Sequence, residues 1–126
     1  MFKNIFSKTI NIPTLRLSGV IGQAGSFRAG LTISSLNKLI DKLFSDKKSP
    51  IVALIINSPG GSPTQSSLIA EKIIAKSKEK NKKVIAFVED VAASGGYWLA
   101  CSADEIFIDQ NSNWFNWCYF TRIWLC

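Results

Sequence analysis

Residues 51–61 read IVALIINSPGG, a continuous apolar run that stops at a turn rich in proline and glycine. Residues 51–56 have the length of a strand and lack the alternation of a strand that is exposed on one side. We therefore expect a central parallel strand that is covered on both faces. The turn at 57–61 would end this strand, and Ser62 followed by Pro63 is typical of a helix cap and first helical position.

On either side of this stretch, the spacing of apolar residues alternates between strand and helix periods. The first predicted strand runs through Leu15, Leu17 and Val20 and ends at Gly19 and Gly22, and the first helix, with Ser34 or Ser35 helping to cap its start, has the apolar residues Leu36, Leu39, Ile40, Leu43 and Phe44. After the strand at 51–56, a second helix runs from Pro63 to about Lys80 with Ile69, Ile73 and Ile74 buried. A strand at 84–88, a short helix to about Ser102 and a strand at 105–109 complete the predicted order. This order predicts an α/β fold with a mostly parallel sheet, and a site at the carboxyl ends of the strands.

A second glycine-rich turn, residues 91–98 with the sequence VAASGGYW, follows the predicted strand at 84–88. If the two strands are neighbours, the two turns face each other at one edge of the sheet. Free N–H groups at a helix start suit a carbonyl oxygen that becomes an oxyanion. Ser94 is the candidate nucleophile, with Gly60 or Gly61 as one oxyanion donor and Gly95 as the other.

The chain contains no histidine, so a catalytic Ser94 needs a base other than that of a Ser-His-Asp triad. Lysine is the natural alternative. Taken singly, a Pro-Gly-Gly sequence is most often only a turn, and a serine before two glycines is most often a helix cap. The two motifs on one sheet edge are more specific to acyl chemistry than either motif alone.

Three segments together resemble peptidase family S49, that of signal peptide peptidase A and its SohB relatives. They are Asn57-Ser58-Pro59-Gly60-Gly61, the run AASGGYW at 92–98, and Ala103-Asp104-Glu105-Ile106. The resemblance covers about residues 12–112. It predicts three divisions of the chain: an N-terminal extension at 1–11, a partial S49 peptidase domain at 12–112 that is incomplete at its C-terminus, and an aberrant tail at 113–126.

The resemblance implies a crotonase-like fold, shared in outline with the protease ClpP, and a serine endopeptidase with a Ser-Lys dyad. The substrates would be peptides or proteins, such as cleaved signal peptides. The family nucleophile corresponds to Ser94, and an oxyanion glycine corresponds to Gly60 or Gly61. Intact members often assemble from identical subunits and are commonly held at a membrane, which leaves a membrane surface open as a partner.

The expected catalytic lysine is missing. In single-domain members of the family it lies well downstream of the nucleophile, whereas no lysine follows Lys83 here. The lysines that are present are expected on polar surfaces, where an amine keeps a pKa of about 10.4 and stays protonated. The sequence therefore predicts no general base in this chain and an enzyme that is catalytically incomplete.

The tail at 113–126 holds three of the four tryptophans and two of the three cysteines, so the composition changes abruptly. A shifted reading frame explains this, because every TGG codon read from its second base encodes glycine, and the shifted reading includes a family-like Thr-Gly-Ser-Ile-Gly-Val-Ile. We expect a frameshift near Ser112 or Asn113 that replaced the lysine-bearing part of the domain. The alternative is a genuine aromatic tail that docks on the sheet or at a membrane interface.

The composition bounds the remaining classes. The chain has 126 residues, 47% of them hydrophobic, which suits one modest domain with a core. The net charge is +6, but the lysines at 72–83 lack interleaved aromatics, which favours a solvated helix face over a nucleic-acid surface. The odd cysteine count without CxxC spacing predicts no metal site, no disulfide framework and a reducing compartment. We expect no cofactor.

No signal peptide or transmembrane helix is evident in the sequence, because polar residues interrupt residues 1–12 and no apolar run reaches about 18 residues. We therefore expect a cytoplasmic or peripherally membrane-associated protein. Two alternatives to the peptidase stay open. A crotonase-type acyl-CoA enzyme could use the same two-turn oxyanion site without a nucleophilic serine, and a noncatalytic fragment could bind full-length subunits through an exposed sheet edge.

Overall fold

The computed structural model describes residues 11–23, 30–109, 113–114 and 122–125. The elements are β1 (Thr14–Ser18), α1 (Ile33–Ser45), β2 (Ile51–Ser58), α2 (Pro63–Lys80), β3 (Lys83–Ala92), α3 (Gly95–Ala100), β4 (Glu105–Ile108), β5 (Asn113–Trp114) and β6 (Arg122–Leu125). The predicted alternation of four strands and three helices is confirmed, and β5 and β6 follow it.

Every strand pairing in the sheet is parallel, which confirms the predicted α/β class. The strand order is β1-β2-β3-β4-β6, and β5 pairs with the far end of β3 beyond β4. Because β2 and β3 are neighbours, the turns that follow them lie at the same edge of the sheet. We call this the carboxyl edge, and the opposite edge, where β2 and β3 begin, the amino edge.

Among the described residues one face of the sheet is packed more closely than the other, so the strand at 51–56 is fully covered on one face and partly covered on the second, where Ala53 is 7% exposed. Alternate strand residues share one core with the helices: Leu15, Leu17, Val52, Leu54, Ile56, Val84, Ala86, Val88, Ile106 and Ile108 pack with Leu36, Ile40, Ile69 and Ile73. On the other face Ile55 and Ile85 are half-buried, and Phe87 is 43% exposed and stacks on Phe107. An apolar run cannot by itself show which face is covered.

Side-chain caps fix the helix starts that position the turns. At α2, the Ser62 side chain accepts from the Gln65 N–H and Pro63 is the first residue, as predicted. At α1 the N-cap residue is Thr32, and Ser35 helps to cap the helix, as expected, by completing a capping box with it. Within the helices, Ile74 and Leu39 are more exposed than their spacing predicted, at 38% and 48%.

A bulge in β3 shifts the register of its pairing with the end of β2. Ile56 pairs with Val88, but Ser58 pairs with Ala92, so two steps along β2 match four along β3. Beyond the bulge, the Ala93 N–H donates to the Ser58 carbonyl at 3.1 Å. The irregularity therefore attaches the start of the Ser94 turn directly to the start of the Pro-Gly-Gly turn.

Of the predicted N-terminal extension, all but Asn11 lies outside the described residues. Of the tail, only β5 and β6 are described, and their backbones pair with β3 and β4. The domain bounds and the frameshift stay predictions. None of the described helices is both long and apolar enough to cross a membrane.

Candidate active site

The two glycine-rich turns meet at the carboxyl edge, as predicted. Gly60 has a φ of +97°, and a Cβ atom added to it would lie 2.8 Å from the Ala93 carbonyl oxygen, the Gly95 nitrogen and the Ser94 Cβ. A real Cβ atom essentially never lies this close to a non-bonded heavy atom, so only glycine permits this approach. The backbone of one turn therefore rests directly on the backbone of the other.

Ser94 has the backbone of the first central residue of a type II′ turn, with φ 51° and ψ −118°. The Gly96 N–H closes the turn on the Ala93 carbonyl at 2.9 Å. A positive φ is uncommon for a residue with a side chain and is a mark of functional turns. Ser94 is exposed, and within residues 11–23 and 30–109 its hydroxyl has no hydrogen-bond partner. The fold thus presents a free hydroxyl at a constrained turn.

The two turns contain three glycine N–H groups that differ in their hydrogen bonding. Gly95 is the first residue of α3, and neither its N–H nor that of Gly61 donates to an acceptor among the described residues. The Gly60 N–H donates to the Ser58 Oγ at 3.1 Å. Gly61 and Gly95 are therefore free donors, whereas Gly60 would have to exchange one acceptor for another.

Ser58 is a residue of the site that the sequence interpretation did not single out. It is fully buried, its Oγ donates to the Gly19 carbonyl at 2.7 Å and accepts from Gly60, and its own carbonyl accepts from Ala93. One serine thus ties the end of β1 to both glycine turns. Its place inside a run of small residues gave no signal that it, rather than Ser62, would be buried.

Ser66, also fully buried, contacts Gly95 from α2. Its hydroxyl donates to the Ser62 carbonyl at 2.8 Å, and a Cβ on Gly95 would collide with its Oγ. Gly96 is confined in the same way by the Ser58 carbonyl. The glycines after Ser94 therefore allow α3 to start close to both β2 and α2.

The lysines of the described residues have other partners or lie on other elements. Lys76 pairs with Asp41 and Glu79 at 3.6 and 2.8 Å, and Lys83 pairs with Glu105 at 2.7 Å. The hydrogen bond that Lys76 donates to Glu79 raises the pKa of Lys76, which is the opposite of what a general base requires. No lysine bonds to Ser94 within the part of the chain that the structure describes.

Lys82 corrects the expectation that every lysine is on a polar surface, because it is only 9% exposed. It lies at the amino edge, and the ten residues of β3 separate it from the Ser94 turn, or roughly 30 Å. It therefore cannot reach Ser94.

Among the described residues no group of three or more metal-ligating side chains occurs.

Comparison with known proteins connects this geometry to a class of enzymes. The model of Peptidase family S49 matches residues 76–113, which include β3, the Ser94 turn, α3 and β4. Protease 4 of Haemophilus influenzae is 31% identical over 101 residues, which are 80% of this chain and 16% of that protein. Residues 76–113 are therefore part of a peptidase family S49 domain, which this chain covers only in part.

A further relative carries a different name. The Na(+)/H(+) antiporter NhaA of Brucella melitensis is 50% identical over 102 residues, which are 80% of this chain and 14% of the antiporter. The chain thus spans about one seventh of the length of that relative. Because most of the antiporter lies outside the matched segment, its name assigns no transport to this chain.

A solved structure of a ClpP1 mutant from Listeria monocytogenes has the same fold. It superposes with a TM-score of 0.63 at 22% identity, over 79% of this chain and 53% of that one. This likeness confirms the ClpP-like architecture expected from the sequence.

Proposed function

We propose that this chain carries the nucleophile and the oxyanion donors of an S49-type serine endopeptidase. Ser94 is the nucleophile, Gly95 is one donor, and Gly60 or Gly61 is the other. The observation that carries the proposal is the exposed Ser94 hydroxyl at positive φ, which has no partner among the described residues and lies on a turn that rests against Gly60. Family membership supports the same reading, and it favours a peptidase over a crotonase-type acyl-CoA enzyme.

In the proposed reaction the Ser94 Oγ attacks the scissile carbonyl carbon of a peptide, and the carbonyl oxygen becomes an oxyanion. The N–H groups of Gly95 and of Gly60 or Gly61 stabilise this charge. Collapse of the tetrahedral intermediate expels the amine and leaves an acyl-enzyme on Ser94, which water then hydrolyses. Removing one donor of this kind typically slows a reaction by about 10²–10³-fold.

The proposal assigns no general base to the described residues. The proton of the Ser94 hydroxyl must leave as the bond to carbon forms, and no described lysine is in place to accept it. We propose that a lysine supplied from outside these residues completes a Ser-Lys dyad, as the family resemblance implies. The isolated chain would then bind substrate but turn it over poorly.

An apolar peptide is the substrate class that the carboxyl edge fits best. Val20 follows β1, Leu68 lies in the second turn of α2 and Trp98 lies in α3, and these side chains are 44%, 41% and 47% exposed. All three come from segments that begin or end at this edge. Exposed apolar side chains beside a reactive serine suit an extended apolar segment, such as that of a signal peptide.

The test of this function is labelling with a fluorophosphonate, followed by mass spectrometry of each serine. In this reaction the serine oxygen bonds to phosphorus, fluoride leaves, and the phosphoryl oxygen occupies the oxyanion position. Without a base we expect negligible labelling at pH 7. At pH 9.5, where hydroxide takes the proton, we expect Ser94 to react about 100-fold faster than an exposed helix serine such as Ser34.

Two controls make this result specific. The Ser94→Ala variant should lose the fast site and leave the labelling of Ser34 unchanged. Equal labelling of Ser94 and Ser34 at pH 9.5 would contradict an oxyanion site. Thioester turnover that survives Ser94→Ala would instead favour the acyl-CoA alternative.

We also propose that the tail at 113–126 comes from a shifted reading frame. The family model matches up to residue 113, the position at which the composition changes. Sequencing of the locus tests this, because an alternative frame that encodes glycine at positions 114, 117 and 124 is expected. A locus with no such frame would support a genuine aromatic tail.

Self-assembly and a membrane surface remain part of the proposal. The partly exposed apolar face of the sheet, with Phe87 and Phe107, supports a requirement for a covering partner such as a further copy or a full-length subunit. Sedimentation velocity of the chain, alone and with vesicles, tests both. A chain that stays monomeric would contradict self-assembly, and a chain that does not bind vesicles would contradict the membrane surface.

A further inference from the structure

A cavity of about 920 Å³ lies at the amino edge, at the other end of the sheet from Ser94. It is formed by the end of α1, the loop that leads into β2, and the end of α2 with the residues before β3. Its charged lining consists of five lysines and two aspartates: Lys47, Lys48, Lys76, Lys80, Lys82, Asp41 and Asp46. Nothing in the proposed peptidase reaction uses this cavity.

Two of the five lysines are already paired with carboxylates. Glu79 pairs with Lys76 at 2.8 Å and with Lys80 at 3.0 Å, and Asp41 lies 3.6 Å from Lys76. The hydrogen bonds from these two lysines lower the pKa of Glu79 to about 2, so it stays ionised at neutral pH. Asp41 also pairs with Lys72 at 3.0 Å, so the positive charge of Lys76 and Lys80 is offset in part.

The other three lysines have no such balance. In residues 11–23 and 30–109, no carboxylate lies within ion-pair distance of Lys47, Lys48 or Lys82. The nearby Asp46 carboxylate accepts a hydrogen bond from the Lys48 backbone N–H at 2.7 Å. These three lysines leave an excess of positive charge around one cavity.

Lys82 distinguishes this cavity from an ordinary basic surface. It is nine-tenths buried, and its ammonium donates to the Asp46 carbonyl and, at 2.6 Å, to the Ser49 carbonyl. An ammonium has three N–H donors, so one remains unused among the described residues. A buried cation held only by neutral carbonyls loses hydration without gaining a counter-ion, which is unfavourable unless an anion completes the site.

We propose that this cavity binds a phosphate-class anion, with Lys82 at its base and Lys47 and Lys48 at its mouth. A compact ammonium is a strong point-charge partner for phosphate oxygens, and three of them suit a ligand with two or more negative charges. The cavity volume exceeds that of a phosphate group, so a larger phosphorylated molecule or a phospholipid headgroup would fit. The binding does not depend on Ser94 chemistry.

The test is isothermal titration of the 126-residue chain with inorganic pyrophosphate at low ionic strength. The paired variant Lys47→Ala/Lys48→Ala should weaken binding by about tenfold, because two charges at the mouth are lost. The matched control is Lys38→Ala/Lys42→Ala, which removes the same charge from exposed positions on α1 outside the cavity. It should change the affinity by less than about twofold, because distant exposed charges are screened.

Lys82→Gln provides a second variant, since an amide can still donate to both carbonyls but carries no charge. We expect it to keep the circular dichroism spectrum and to lose pyrophosphate binding. If it does not fold, the paired variants still decide the question. Absence of saturable binding, or equal weakening in the two paired variants, would overturn the proposal.

A vesicle assay separates the two sources of the phosphate group. Sedimentation with phosphatidic acid vesicles that pyrophosphate reverses would identify a lipid headgroup as the ligand. Saturable pyrophosphate binding with no sedimentation, relative to phosphatidylcholine vesicles, would identify a soluble phosphorylated ligand.

Discussion

The two edges of the sheet differ in what carries their chemistry. At the carboxyl edge the groups that we propose to act are neutral, and backbone conformation positions them: glycines at close approach, a serine at positive φ, and the buried Ser58. At the amino edge, side-chain charge dominates, with Lys82 buried under a loop. This contrast predicts that added side-chain atoms should impair the reactivity of Ser94 at the carboxyl edge, whereas the removal of charge should impair anion binding at the amino edge.

The largest expected effect is that of Gly60→Ala. A Cβ here meets three atoms of the Ser94 turn at 2.8 Å, and the φ of +97° adds backbone strain. We expect the labelling of Ser94 at pH 9.5 to fall by about 100-fold, because displacement of a reacting group by about 1 Å has an effect of that size.

Gly19→Ala is the matched control, because Gly19 also has positive φ, at +103°, but a Cβ there meets nothing within 4 Å. In urea, strain alone should lower the free energy of unfolding of Gly19→Ala by about 1–3 kcal/mol. Gly60→Ala should lose a further 1–3 kcal/mol, roughly, from the collision. Equal losses would show that the two turns are not in contact.

Ser58→Ala is expected to have the next largest effect. It removes the donor to the Gly19 carbonyl and leaves the buried Gly60 N–H without an acceptor, which should lower the free energy of unfolding by about 1–3 kcal/mol. The control is Ser45→Ala, which removes an exposed hydroxyl that donates to the Lys42 carbonyl. It should change the free energy of unfolding by less than about 0.5 kcal/mol. If the Ser58→Ala chain were as stable as the Ser45→Ala chain, Ser58 would not be needed to hold β1 and the two glycine turns together.

A smaller effect is expected from acid at the amino edge. Hydrogen bonds from Lys76 and Lys80 lower the pKa of Glu79 from 4.5 to about 2. Its contribution to stability is therefore complete above pH 4.5 and is lost as the pH falls towards 2. Glu79→Gln should flatten the dependence of the unfolding midpoint on pH in this window. A profile as steep as that of the unsubstituted chain would contradict the pairing.

The smallest effect is expected across the sheet. Lys82→Gln, which removes charge at the amino edge, should change the rate of Ser94 labelling at pH 9.5 by less than about twofold, since roughly 30 Å of strand separates the two. A large change would mean that the two edges are coupled, and the comparison between them would fail.

Much of the carboxyl edge could be predicted from the sequence because its signals are local. Apolar periods located the strands, and two glycine turns after neighbouring parallel strands had to face each other. The bulge in β3 and the burial of Ser58 were not predictable, because both depend on how Ala93 meets the end of β2.

The amino edge was far less predictable. Lys82 lies in a run of lysines that is typical of a solvated surface, and its burial depends on carbonyls of Asp46 and Ser49, more than thirty residues earlier. The unequal packing of the two sheet faces was not predictable for a similar reason. Six consecutive apolar residues give no indication of which face meets a helix.

The central claim is that the carboxyl edge is an acyl-transfer site that is complete except for its base. The rate of fluorophosphonate labelling of Ser94 between pH 7 and 10 tests it most directly. The account predicts a selective reaction whose rate rises about tenfold per pH unit without a plateau, since only hydroxide can remove the proton. A plateau would reveal a base within the chain, and an absence of selectivity for Ser94 over Ser34 at every pH would contradict the site itself.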